Sequence, residues 1–168
     1  CACHTTRGGA CVRVNILGAA GPGRVLKTSG TADLLRTSRK GMATRVTEAD
    51  VRAMGRDAQG VRGMKLREED EVGSCDVCHD ETAILLVTDA GYGKRTQLTN
   101  FNPQGRGGIG VIGIKLTAKK GQVVAAHTGG LDDEVVLMNA PGVVIRTAVR
   151  AWCSPGHCAP GDGWKARG

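Results

Sequence analysis

Thr82 to Thr88 reads Thr-Ala-Ile-Leu-Leu-Val-Thr, an apolar run that stops at Asp89-Ala90-Gly91. A run this short, rich in aliphatic residues and bounded by turn residues, predicts a buried strand rather than a helix. Gly93 to Leu98 alternates well enough to fold back on it as a hairpin. Val111 to Leu116 predicts a third strand, and Gln122 to Ala126 a fourth after the Lys119-Lys120-Gly121 turn. The same text occurs elsewhere in the chain. Leu35–Val46 lines up with Leu85–Thr96 and Gly55–Leu66 with Gly105–Leu116, both at an offset of 50 residues, and Val136–Thr147 opens a third copy at an offset of 51. Short strands repeated at this period predict blades of a propeller-like array, and because a blade cannot bury both faces alone, neighbours must stack on it. The expected fold class is all-β, a partial array of about two and a half four-stranded blades with irregular ends.

The blades are expected over residues 33–150. Residues 1–32 carry no copy of the repeat, and residues 151–168 bring two Trp, two Cys and a Pro/Gly-rich tail. Both ends are left unassigned. The expectation is out-of-frame, chimeric or disordered text, with divergent genuine caps as the alternative. Because the chain starts at Cys1, a fragment or a processed product is expected. Composition supports the strand reading: glycine supplies 26 of 168 residues, and the aromatics are one Phe, one Tyr and two Trp. Tight turns are plentiful, and large side chains to fill a helical core are scarce. No apolar run reaches the roughly 18 residues of a membrane span, and Val14 to Ala20 is too short and interrupted for a signal peptide.

The formal charge is +7, but its distribution matters more. Arg36 to Arg67 and Gly91 to Lys120 are basic blocks, whereas Glu68 to Glu81 is acidic, and Asp132, Asp133 and Glu134 form a second acidic cluster. Sorted charge produces a local field even where the sum is small. The plainer alternative is a solvated surface whose arginines pair with the acidic blocks.

Several motifs invite chemistry and lose it on inspection. Cys75-Asp76-Val77-Cys78-His79 is a formal haem c attachment sequence and half of a zinc site. Haem c needs an apolar pocket with two axial ligands, and the next unit, Ala125 to Gly130, has no cysteine in the matching place. A zinc site of Cys75, Cys78, Cys153 and His157 would span the doubtful junction at Arg150. Reduced thiols are the expected state, with a cysteine-based metal or haem protein kept as the alternative from another class. Gly105 to Gly110 satisfies the dinucleotide pattern but precedes a strand where a helix is required. Gly91 to Thr96 hints at a phosphate loop, yet Thr88 stands where the first glycine belongs and Arg95 where Ser or Thr must follow the lysine. The four histidines form no triad. No catalytic residue and no cofactor or metal site is expected.

What remains is Arg and Lys on a glycine-bearing scaffold that lets backbone approach phosphates. The candidate DNA-contacting residues are Arg39, Lys40, Arg45, Arg56, Arg62, Lys65, Lys94, Arg95, Gln104, Arg106, Gly107, Gly108, Gly110, Lys115 and Arg146. Tyr92 is the only aromatic beside them, so platforms for single strands are missing and double-stranded DNA is the expected partner. A propeller used only for protein contacts is a further alternative.

Gly91-Tyr92-Gly93-Lys94-Arg95-Thr96, followed by Gln104-Gly105-Arg106-Gly107-Gly108-Ile109-Gly110-Val111-Ile112-Gly113-Ile114-Lys115, strongly resembles the C-terminal β-pinwheel domain of bacterial DNA gyrase A proteins. Gly60 to Leu66 and Gly142 to Thr147 look like further blades of it. The resemblance implies a six-bladed array whose blades exchange strands and whose rim wraps DNA. The family's signature box is Q-R-R-G-G-K-G. Gln104 to Gly110 keeps Gln104, Arg106, Gly107, Gly108 and Gly110 but has Gly105 and Ile109 in place of the first Arg and the Lys. The resemblance therefore implies a later blade. It also implies a non-catalytic part of a cytoplasmic, nucleoid-associated, ATP-dependent topoisomerase, with ATP and Mg2+ on other domains and gyrase B as partner. The family's catalytic tyrosine is absent, and Tyr92 is not its equivalent. The matching domain of topoisomerase IV is the nearest alternative.

Overall fold

The computed structural model describes residues 10–13, 25–51, 61–79, 82–138, 141–152 and 164–165. Its strands in chain order are β1 (Ala10–Arg13), β2 (Val25–Thr28), β3 (Asp33–Ser38), β4 (Met42–Thr47), β5 (Val72–Cys78) and β6 (Ala83–Thr88). They continue as β7 (Tyr92–Gln97), β8 (Val111–Ile112), β9 (Val123–Gly129), β10 (Glu134–Met138), β11 (Val144–Ala148) and β12 (Trp164–Lys165). The helices among the described residues are single 3-10 turns, at Glu48–Asp50, Leu98–Asn100, Ala118–Lys120 and Val149–Ala151. The fold is all-β.

Each unit opens with the hairpin that its alternation predicts. β3 pairs with β4, β6 with β7 and β10 with β11, with Asp33 opposite Thr47, Ala83 opposite Gln97 and Glu134 opposite Ala148. The last strand of a unit then returns to the first strand of its own hairpin: β5 joins β3 and β9 joins β6. Both pairings shift register at the same place, Thr37/Ser38 and Val87/Thr88.

The remaining strand corrects the expected blade. Only Val111 and Ile112 of the segment Val111–Leu116 are strand, and they leave their own unit to pair with Ala43 and Met42 of the preceding one. The first sheet is thus ordered β5-β3-β4-β8, and the second β9-β6-β7-β12. The cause is the glycine-rich box, which cannot hold a continuous strand. It runs instead along β4: the Gln104 N–H donates to the Arg45 carbonyl at 2.8 Å and the Gly113 N–H to the Gly41 carbonyl at 2.9 Å. Gly110, at φ 85, passes so close to the Ala43 carbonyl that a Cβ would collide with it. Val61 and Arg62, the first unit's counterparts of Val111 and Ile112, form no strand.

Stacking buries one apolar cluster between the sheets, including Leu35, Ala43, Ile84, Leu86, Leu98, Phe101, Ile114 and Val123. Polar clips join the returning strands. The Thr128 hydroxyl donates to the Val77 carbonyl at 2.7 Å and Ser74 to the Ala126 carbonyl at 3.0 Å. Asp76 accepts from the Thr128 N–H at 3.0 Å and lies 2.7 Å from His127, which holds the same place in the second unit. The repeat also runs beyond Arg150. Phe101 and Trp152 each follow a 3-10 turn and are each buried. Most of the two unassigned ends, 1–9, 14–24, 153–163 and 166–168, lies outside the described residues.

Candidate nucleic-acid interface

The box of the second unit, Gln104–Gly110, lies beside the segment Gly63–Lys65 of the first unit because the box crosses onto the preceding blade. Two backbone hydrogen bonds fix the contact: the Lys65 N–H donates to the Gly108 carbonyl at 2.9 Å, and the Gly107 N–H to the Gly63 carbonyl at 3.1 Å. Gly107 has φ 76, a left-handed conformation that turns its N–H toward the neighbouring box. The Gln104 side-chain oxygen lies so near Gly108 that a Cβ there would come within 3.2 Å of it.

This pairing brings Arg62 and Arg106 to one open cleft of about 790 Å³, lined by Asp50, Val61, Arg62, Gly105, Arg106 and Gly107. Both arginines are exposed, as are Lys65 and Lys115 further along the two boxes. Chemically the cleft offers two guanidinium groups, each able to grip a phosphate bidentately, beside a backbone with no side chains to hold a phosphate away. Asp50 gives it one anionic wall, which sequence reasoning did not single out. No local text signals it, because Asp50 reaches the cleft only through the 3-10 turn after β4.

Other candidates are placed elsewhere. Arg45 is largely buried, with Nε donating to Asp33 at 2.5 Å, and Arg146 in the matching place donates to Glu134 at 2.8 Å. In the second unit Ala83 stands where the first has Asp33, and Arg95 is half-buried on β7 opposite Leu85. Lys94 turns inward: its ammonium donates to the Gly113 carbonyl at 2.8 Å, and desolvation, with Lys120 as a smaller influence, lowers its pKa. Arg39 and Lys40 occupy the exposed β3–β4 turn against the acidic block. Arg39 lies 3.5 Å from Glu71, the Lys40 ammonium donates to the Glu68 carbonyl at 2.7 Å, and Asp70 accepts from the Lys40 N–H at 3.0 Å. Arg56 falls outside the described residues.

The cysteine motif lies in the sheet. Cys75 and Cys78 are thiols, not disulfides, and are buried in β5, and burial pushes the Cys78 thiol up to about 12, away from the thiolate that a metal or thioether site requires. Among the described residues no group of three or more His, Cys, Asp or Glu is placed to hold a metal ion. Cys153 and His157 lie outside the described residues. No helix among the described residues is long and apolar enough to cross a membrane.

Comparison with known proteins gives one answer. The family described as DNA gyrase C-terminal domain, beta-propeller, matches residues 33–79 and 82–128, the two complete units. The DNA gyrase A protein of Salmonella typhimurium is 42% identical over 122 residues, covering 73% of this chain and 14% of that protein. Its counterpart in Haloquadratum walsbyi is 41% identical over 124 residues, again covering 73% and 14%. The chain therefore spans about a seventh of the length of these relatives. A solved gyrase A C-terminal domain superposes with a TM-score of 0.72 at 30% identity, covering 77% of this chain and 44% of that one. The C-terminal domain of a DNA topoisomerase IV reaches 0.74 over 82% of this chain and 44% of that one, at 24% identity, a likeness of fold. The sequence relatives favour gyrase over topoisomerase IV, and this chain belongs to the DNA gyrase C-terminal domain, beta-propeller family.

Proposed function

We propose that the chain binds and bends double-stranded DNA through phosphate contacts along the cleft where the second unit's box meets the first unit, as the wrapping region of a gyrase A protein. The observation that carries this reading is the pairing of the second unit's box with the first unit's Gly63–Lys65 segment through Lys65–Gly108 and Gly107–Gly63, which sets Arg62 and Arg106 on one cleft. Together Arg62 and Arg106 offer a curved duplex two neighbouring guanidinium contacts on this face. Contacts of this type position DNA without reading its bases, so sequence preference follows bendability. Within this reading the chain contributes no catalytic group, ATP and Mg2+ act on other domains, and the wrapped duplex serves supercoiling together with gyrase B. The test is charge reversal. Arg62→Glu with Arg106→Glu weakens binding to unrelated duplexes alike, whereas unchanged affinity in both would remove the cleft from the DNA path.

A further inference from the structure

Among the described residues, Arg36 is an ion without a counter-ion in the body of the first blade. It lies on β3 opposite Thr44 and Cys75, is 7% exposed, and its Nε and Nη2 are buried without a hydrogen-bond partner. Burial lowers its pKa, with Cys75 acting the other way as the lesser influence. One unit later the same place holds Leu86, fully buried. Leu86 packs beneath Gly113 of the box, where a Cβ would lie 2.9 Å from its Cδ1 and 3.3 Å from the Cβ of Ala43. Three parts meet there: a β6 side chain, a box glycine, and β4 of the preceding blade. The first unit repeats two of them, since a Cβ on Gly63 would collide with Arg36 Nη1. The third, a strand equivalent to β4, belongs to a unit before β3. The box segment at Val61–Arg62 is likewise without the strand that Val111–Ile112 finds on β4.

A guanidinium removed from water is costly unless it is paired, and Nε with Nη2 is the edge that both oxygens of one carboxylate fit. At 7% exposure on a sheet-facing position, Arg36 is out of reach of a duplex. We propose that in the longer polypeptide the preceding blade docks on this face with an Asp or Glu near the place equivalent to Ala43, and that its carboxylate pairs with Arg36. The proposal rests on the family assignment, whose relatives are about seven times longer than the matched region, and is independent of the DNA reading. The ion pair would make this junction unlike the next one, which is sealed by Leu86 and Gly113, and would select the correct neighbour by charge.

The test compares Arg36→Leu in two lengths of the polypeptide, this chain and one that includes the preceding unit. In the longer form the variant lowers the thermal midpoint by roughly 6–20 °C. In the shorter form it raises the midpoint, because an orphaned charge gives way to the apolar residue that the next blade uses. As an independent variant, Arg36→Glu in the longer form is restored by reversing one acidic residue of the preceding unit to Arg. Three results would overturn the proposal: a longer form that the Leu substitution leaves unchanged or stabilises, equal losses in both lengths, or a concentration-dependent dimer of the short chain that Arg36→Leu dissolves. Duplex affinity in the longer form stays within about twofold, since a twofold change is under 0.5 kcal/mol. A failure of the DNA reading would show instead as salt-independent binding by the unaltered protein.

Discussion

Arg45, Arg95 and Arg146 share one place in three successive hairpins, yet their surroundings divide them. Arg45 and Asp33 form an ion pair whose side chains are about 14% and 15% exposed, so removing the guanidinium takes away a partner of a largely buried carboxylate. Arg45→Ala is expected to cost about 1–3 kcal/mol in denaturant unfolding. Exposed Arg106→Ala is expected to stay within about 0.5 kcal/mol. Equal effects on stability would mean that position in the hairpin, not pairing, governs these arginines. The arginines were legible from the repeat. Their partners were not, because Asp33 and Glu134 sit twelve residues upstream and meet them only once the hairpin register is fixed. Cys78 makes a pH-dependent claim at the same scale. Its folded pKa of about 12 exceeds the ordinary value of 9.0, so this contribution to stability is complete below pH 9 and is lost as pH rises toward 12. Cys78→Ala should flatten that alkaline loss, and an unchanged profile from about pH 9 to 11 would show that the thiol is not held neutral by burial.

At the scale of elements, the hairpins and the returning strands follow from turn residues and apolar runs read locally. The exchanged strand does not. Val111-Ile112-Gly113-Ile114 has the same alternation whether it pairs within its own unit or with the one before, and the actual pairing is two residues long. What decides it is the path of the box, which depends on backbone approach at Gly110. Gly110→Ala combines a left-handed backbone with a collision against the Ala43 carbonyl, a change expected to cost about 1–3 kcal/mol. The loss should appear twice, as a lower thermal midpoint and as faster amide exchange at Gln104 and Gly113, whose N–H groups bond to β4 and the β3–β4 turn. Normal protection at both amides would mean that the box is held by something other than this approach.

Across the whole molecule the sorted charge of the sequence becomes a division of surfaces. The acidic block Glu68–Glu71 lies against Arg39 and Lys40, while Arg62 and Arg106 meet at the cleft between boxes. The candidate site was therefore legible as text but not as a surface. The second box and its Arg106 stand out in the sequence and do meet Arg62 and Gly63 of the first unit, whereas Lys94, Arg45 and Arg146 point to partners inside the protein. Glu68→Lys with Glu69→Lys should leave duplex affinity undiminished, because that surface is not the proposed path. The most direct test of the account is the salt dependence of duplex binding, measured for the unaltered protein and for Arg62→Glu with Arg106→Glu. If about six phosphates are neutralised, log K falls against log salt with a slope near −5. The double reversal should lower affinity for every sequence and bring the slope about two units closer to zero. An unaltered slope and affinity in the double variant would contradict the claim that the Arg62–Arg106 cleft carries the DNA.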